Sequence, residues 1–411
     1  MKLIRRIGPL RMQAIKIALL GGTFWFAWAY ACYQSVYLQE KGFQASDIGV
    51  LNAISAGVNI LSVSFWGTVS DRIGSLKRVL FSVLLGGSLL YSLVPAIPTD
   101  IAFSHLLLLA ILPSFNFFRG SMTTMVENMQ VRNCNELRLN YGFIRSFGSL
   151  MFTFGSLSAA GLLAGTIEVR HTFVISFLLM LIPITLTIFV RDPKLGRLKN
   201  MNADPNQKKE KISLKPLFQN KTYIFFLIFA FIFYIAANCE ATFIPYYMKS
   251  IDVNPQQYGV ILAYRAMLEI PFLLLMARLR RRFSLQQLFL FGVTLMSLEC
   301  LCLGTIANSL FTMILSTTFF GLGNGLFIGS SLNYLYHLAP DRLKASAQAF
   351  FAAIASVAGI AGNLIGGALF DNIGAKPFYL VVFLLMMISV IVFAVFVLIN
   401  NKKKKALPSD S

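Results

Sequence analysis

Charge is what this chain has least of. Only 13% of its 411 residues are Asp, Glu, Lys or Arg, against about 25% in an ordinary soluble domain, so a water-soluble globule is excluded. Acids are scarcer still, 17 against 36 Lys and Arg. Cysteine is limited to Cys32, Cys134, Cys239, Cys300 and Cys302. They have no metal-ligand spacing and mostly lie in apolar runs, so neither a disulfide framework nor a metal site is expected. No grouping of His, Cys, Ser and carboxylate recurs at the spacing a nucleophile or metal needs, and the chain does not read as an enzyme. The basic stretch 1–16 precedes an apolar run with no small-residue cleavage site, which predicts a retained first helix rather than a cleaved signal.

What the chain does have is apolar length: 56% of its residues are hydrophobic and 38 are Phe. About twelve segments of roughly 20 apolar residues recur along it, each long enough to cross a bilayer as a helix. The excess of Lys and Arg is one-sided. With loops assigned to alternate sides, 29 of the 36 fall on the side of the N-terminus, four (Lys41, Arg170, Lys249, Lys376) on the other, and three within helices. That distribution argues for a membrane rather than nucleic acid as the partner, and puts both termini in the cytoplasm.

The first segment, 14–38, is rich in aromatics, including Phe24, Trp25, Trp28, Tyr30, Tyr33 and Tyr37. Most are expected at the lipid or the interface, with Trp25 and Tyr33 as candidates for stacking on a solute. The second segment starts after Ser46-Asp47, read as its N-cap. The loop that follows runs Gly67-Thr68-Val69-Ser70-Asp71-Arg72-Ile73-Gly74-Ser75-Leu76-Lys77-Arg78. Its glycines allow close helix approach and a sharp turn, and Asp71 can accept hydrogen bonds from a helix N-terminus or an Arg. It resembles the GxxxDRxGxxxx(R/K) signature of the major facilitator superfamily. A degenerate version, Ala277 to Ser284 with Arg281 in the Asp position, occurs at the same place in the second half. The resemblance implies an all-α membrane protein of two six-helix halves, 1–190 and 222–411, the second ending in a basic cytoplasmic tail. The charged stretch 191–221, with Lys208, Lys209, Glu210 and Lys211, reads as a cytoplasmic linker between them.

Seven ionisable residues lie inside the apolar segments: Glu127, Glu240, Glu269, Glu299, Arg119, Arg145 and Arg265. Charges at membrane depth persist when paired, facing a bundle interior or facing water, and are functional candidates. Glu127 and Arg145 stand equally far from Glu136, which lies in a polar turn holding Arg132, Asn133, Asn135 and Arg138. Equal depth lets carboxylate and guanidinium meet across the fourth and fifth segments. Arg265 and Glu269 form an i,i+4 pair on the eighth, and Glu299 on the ninth lies near the depth of Arg265. A static ion pair and a coupling role are both open for them. No ionisable residue of opposite charge stands near Glu240 in sequence, though Asn238 and Tyr234 share its helix. Arg119 stands two turns from Glu127, and is open either to an acid of the second half or to an anionic group on the solute. Glycines in the fifth and eleventh segments are read as sites of close helix packing.

The run Tyr141-Gly142-Phe143-Ile144-Arg145-Ser146-Phe147-Gly148-Ser149 resembles the YGxxRxxGS segment of the oligosaccharide and nucleoside proton symporters, the lactose permease-like group. Glu127 falls where that group carries an acid, and the resemblance implies that Glu127 and Arg145 bind solute hydroxyls. Leu268-Glu269-Ile270-Pro271-Phe272 resembles the group's eighth helix, with Glu269 at its acid. The tenth segment departs from the pattern. Near Phe320 and Ile328, where relatives carry a histidine or acid, it has no ionisable residue before His337, and its polar groups are Asn324, Ser330, Ser331 and Asn333. The proton task would then pass to Glu240, Glu269 or Glu299.

The expected function is proton-coupled symport of a small polar solute, sugar foremost, by alternating access through a monomer in a bacterial-type inner membrane, driven by the proton gradient without a cofactor. Glu127, Arg145, Arg119, Trp25, Tyr33 and Asn324 are the expected solute ligands. Glu269, Glu240, Arg265 and Glu299 are the expected proton-coupling set, and Gly67, Asp71, Arg72 and Gly74 the conformational motif. The alternatives are uptake of a nucleoside or of an aromatic or sugar acid, and proton-driven export of amphipathic compounds.

Overall fold

Long apolar runs must satisfy their backbone polar groups internally wherever no water reaches them, and the helix does so within one segment. Among the residues described by this computed structural model (8–97, 103–139, 141–165, 167–193, 214–340 and 343–406), every regular element is helical. In chain order they are α1 (Pro9–Ala31), α2 (Gln34–Glu40), α3 (Ala45–Ile73), α4 (Leu76–Ser92), α5 (Ser104–Leu137), α6 (Tyr141–Leu163) and α7 (His171–Phe189). The short α8 (Lys215–Gln219) leads into α9 (Lys221–Ser250), α10 (Tyr258–Leu279), α11 (Leu285–Thr305), α12 (Leu310–Leu338), α13 (Lys344–Ile373) and α14 (Ala375–Ala406). With α1 and α2 taken as one span, 12 helices are long and apolar enough to cross a membrane. Residues 194–213 of the expected linker lie outside the described residues.

The chain divides into two compact units, Met1–Glu210 with Asn254–Ile270, and Lys211–Val253 with Pro271–Ser411. The division falls within α10 at Pro271, where the missing N–H interrupts the helical hydrogen bonds. In the first unit α1 packs on α6 and α7, α4 on α5 and α7, and α3 on α5. In the second, α9 packs on α13 and α14, and α11 on α12 and α14. Four of the first unit's pairings are thus repeated, element for element, in the second. The first unit has an aliphatic and Met core around Leu80, Val83, Met125 and Met129. The second stacks Phe226, Phe229, Phe233, Phe289 and Phe393 with ring centroids 5.3–6.0 Å apart. There α11 and α12 cross backbone to backbone: a Cβ on Gly323 would lie 2.4 Å from the Gly292 carbonyl oxygen.

Four local expectations change. The first segment is broken at Cys32-Tyr33 between α1 and α2, because the Ala31 carbonyl is held by side chains: Tyr91 Oη donates to it at 2.8 Å and Arg119 Nη2 at 3.2 Å. Its aromatics turn inward rather than to lipid, with Phe24, Tyr30, Tyr33 and Tyr37 all buried. The polar turn after the fourth segment is mostly helix. α5 runs on to Leu137, because buried Asn133 bonds the Met129 and Arg191 carbonyls, and the reversal comes at Arg138, whose φ is 53°. Finally, α3 is capped at Gln44, whose N–H donates to Asp47 Oδ2 at 2.9 Å, so Asp47 belongs to the first turn rather than the cap.

Candidate functional site

α5 and α6 are joined by a short reversal and run side by side, which brings Glu127 of α5 to Arg145 of α6: Nε to Oε1 is 3.7 Å. Glu127 stands farther from the reversal at Arg138 than Arg145 does, so the equal depth expected from Glu136 is not what brings them together; the reach of the guanidinium closes the gap. At 3.7 Å the pair is in electrostatic contact without a tight fork, and both groups keep hydrogen-bonding capacity. The Glu127 side chain is 41% exposed and that of Arg145 20%. A polyol entering here meets an acceptor and a planar donor at once.

α1 supplies the floor. The Arg145 guanidinium lies over the Trp25 ring at 4.7 Å, and Nη1 donates to Ser149 Oγ at 3.1 Å one turn along α6. Trp25 is steadied by edge contacts from Phe24 at 5.3 Å and Phe152 at 6.2 Å. Its Nε1 is buried and lacks a hydrogen-bond partner among the described residues. Gly148 makes this approach possible, since a Cβ there would lie 2.8 Å from Trp25 Cδ1. One face of Trp25 therefore holds Arg145 rather than standing free for a solute.

Arg119 forms a second such station one turn along α1. Its guanidinium lies 4.7 Å from the Trp28 ring and 4.4 Å from that of Tyr91 on α4, and Nη2 donates to Ala31 O. Phe24 links the two stations, lying 5.6 Å from Trp28. Arg119 is half-buried, its Nε has no hydrogen-bond partner, and no ion pair reaches it among the described residues. A desolvated cation–π contact contributes about 2 kcal/mol, whereas removing a charge from water costs several. The two rings and one carbonyl thus compensate this charge only in part. Trp28 and Tyr91 were not singled out by sequence reasoning. Trp28 comes from a helix distant in sequence and Tyr91 from α4, which precedes α5, and only their aromatic character hinted at them.

The other expected ligands are carried by other parts of the chain. Tyr33 is fully buried just past the α1 break; its hydroxyl donates to Gln256 O at 3.1 Å and accepts from Gly259 N at 2.9 Å, which engages it in backbone contacts instead of facing a solute. Asn324 lies half-buried on α12 of the second unit. Of the coupling set, Arg265 is buried and Glu269 half-buried on the part of α10 that belongs to the first unit. Glu240 on α9 and Glu299 on α11 are fully buried in the second, and the Glu240 backbone carbonyl accepts from Tyr379 Oη at 3.1 Å.

In the loop motif, Gly74 ends α3 with a left-handed φ of 71°, the conformation glycine adopts at little cost. Asp71 and Arg72 are exposed and Gly67 has open space around its Cα. The helix-terminus role considered for Asp71 is filled by Asp192, which follows α7. Its carboxylate accepts from Ser75 Oγ at 2.5 Å and Lys77 N at 3.1 Å, at the start of α4. Asp192 lines a cleft of about 810 Å³ together with Lys77, Arg78 and Ser82. An acid directly after an apolar segment was the only sequence signal for it.

Comparison with known proteins follows the same lines. Residues 23–381 match the model of the MFS_1 like family. An uncharacterized transporter, YwbF, of Bacillus subtilis (strain 168) is 24% identical over 357 residues, 84% of each chain. The maltose permease of Geobacillus stearothermophilus is 23% identical over 360 residues, covering 87% of this chain and 88% of its own. Among solved structures, a variant of the nucleoside transporter NupG superposes with a TM-score of 0.74 over 94% of this chain and 99% of its own at 17% identity. The POT family transporter PepTSo gives 0.68 over 96% and 99% at 13% identity.

Proposed function

The chain belongs to the MFS_1 like family, integral membrane transporters of the major facilitator type, and on that premise we propose that it is a proton-coupled symporter that takes up a small polar organic solute, a sugar foremost. The observation that carries this reading is the open Glu127–Arg145 pair seated on Trp25. Carboxylate and guanidinium together offer acceptor and bidentate donor to vicinal hydroxyls. The maltose permease among its relatives supports the sugar class. Glu240 and Glu299, fully buried, with Glu269 and Arg265, are the groups that load and release the proton. A buried carboxyl is stable when neutral or paired, and alternation between those two states is what couples a proton to a conformational cycle. The one-sided Lys and Arg distribution supports cytoplasmic termini in a bacterial-type inner membrane.

A thermal-shift screen of the purified protein against sugars, nucleosides and aromatic acids tests the reading. Sugars are expected to raise the melting temperature in the wild type and not in Glu127→Gln. Stabilisation by lipophilic cations alone, unaffected by Glu127→Gln, contradicts it and favours export.

A further inference from the structure

Resting on the reading of Glu127 and Arg145 as the solute site, we propose that the solute is an acidic monosaccharide, a polyhydroxylated monocarboxylate whose carboxylate is received by Arg119. Trp25 and Trp28 are three residues apart on α1, and each carries a guanidinium, Arg145 at 4.7 Å and Arg119 at 4.7 Å. Positions i and i+3 of a helix place their Cβ atoms about 5–6 Å apart on one face. The two arginine stations are therefore neighbours along a single aromatic strip, tied by the Phe24 ring that touches both tryptophans.

Their charges do not balance. Arg145 has Glu127 at 3.7 Å, while no ion pair reaches Arg119 among the described residues. Two guanidinium groups and one carboxylate leave a single positive charge at membrane depth, where an uncompensated charge is costly. Arg119 is also pre-organised. Rings at 4.7 and 4.4 Å flank it, Nη2 is fixed to Ala31 O at 3.2 Å, and the buried Nε still lacks an acceptor. A planar donor so held suits a carboxylate better than a hydroxyl. One excess positive charge calls for a monoanion rather than a dianionic phosphate ester. A solute that spans the two stations would place its acid at Arg119 and its hydroxyls at Glu127 and Arg145.

Binding of D-glucuronate, D-glucose and D-glucose 6-phosphate to the purified full chain tests this, with intrinsic tryptophan fluorescence as the readout because two of the three tryptophans carry the guanidinium groups. Glucuronate is expected to bind at least tenfold more tightly than either comparison ligand in the wild type. Arg119→Gln is expected to weaken glucuronate at least tenfold more than it weakens glucose, and Arg119→Lys to recover part of the difference. Should Arg119→Gln fail to fold, the wild-type ranking and the Lys variant decide. Glucose binding that depends on Glu127 and is as tight as that of glucuronate overturns the acidic assignment alone and leaves the sugar reading standing. Tightest binding of the phosphate ester overturns the monoanion balance. If none of the three binds, both the acidic assignment and the reading it rests on fall.

Discussion

At the scale of single residues, the site depends on how closely three helices deliver their side chains. Gly148 is the most exacting position, because its missing Cβ is what lets Trp25 lie against α6. Gly148→Ala puts a methyl group 2.8 Å from Trp25 Cδ1 and displaces the ring beneath Arg145. The expected outcome is a severalfold rise in the KM of uptake at normal membrane abundance, and an unchanged KM would show that the ring position does not matter. Glu127 and Arg145 were legible in the sequence because charges inside apolar runs are conspicuous and a reversal separates them. Arg119 was equally conspicuous, but its surroundings were not. Trp28 belongs to a helix that sequence order does not bring to α5, and Tyr91, on the preceding α4, carries no charge to mark it, so the aromatic clamp and the held Ala31 carbonyl appear only in three dimensions.

At the scale of elements, helix ends show what local sequence can and cannot specify. Ser75 is a recognisable cap for α4, and its hydroxyl accepts from Arg78 N at 3.2 Å. The second capping group, Asp192, arrives from beyond α7. Loss of a capping side chain costs about 1 kcal/mol, so Asp192→Ala is expected to lower the melting temperature of the purified protein, whereas Asp71→Ala, at an exposed carboxylate, is expected to leave it unchanged. Equal shifts for the two would contradict the assignment. The α11–α12 crossing is less forgiving. Gly323→Val would drive a side chain onto the Gly292 carbonyl at 2.4 Å, backbone that cannot rotate away. Overpacking of this kind costs about 1–3 kcal/mol, and the variant is expected to melt well below the wild type, with an unchanged melting point as the contrary result.

At the scale of the whole molecule, twelve crossings and the repeated pairing of helices follow from physics the sequence displays openly. Bilayer thickness fixes segment length, and basic residues mark one side. The division of the chain at Pro271 within α10 was not legible, because a proline in an apolar run is equally compatible with a kinked but undivided helix. Sidedness can be read directly from single cysteines in a cysteine-free background. Ser250→Cys and Ser284→Cys, both at exposed positions, are expected to react with a membrane-impermeant maleimide from opposite faces of the cell membrane, Ser250→Cys from outside. Labelling of both from one face would contradict the assigned topology. The most direct test of the solute site is accumulation of the most stabilising sugar by energised membrane vesicles containing wild-type protein or Glu127→Gln at equal abundance. Loss of accumulation in the variant, with insertion intact, is the expected result, and accumulation at the wild-type level would contradict a solute site built on Glu127 and Arg145.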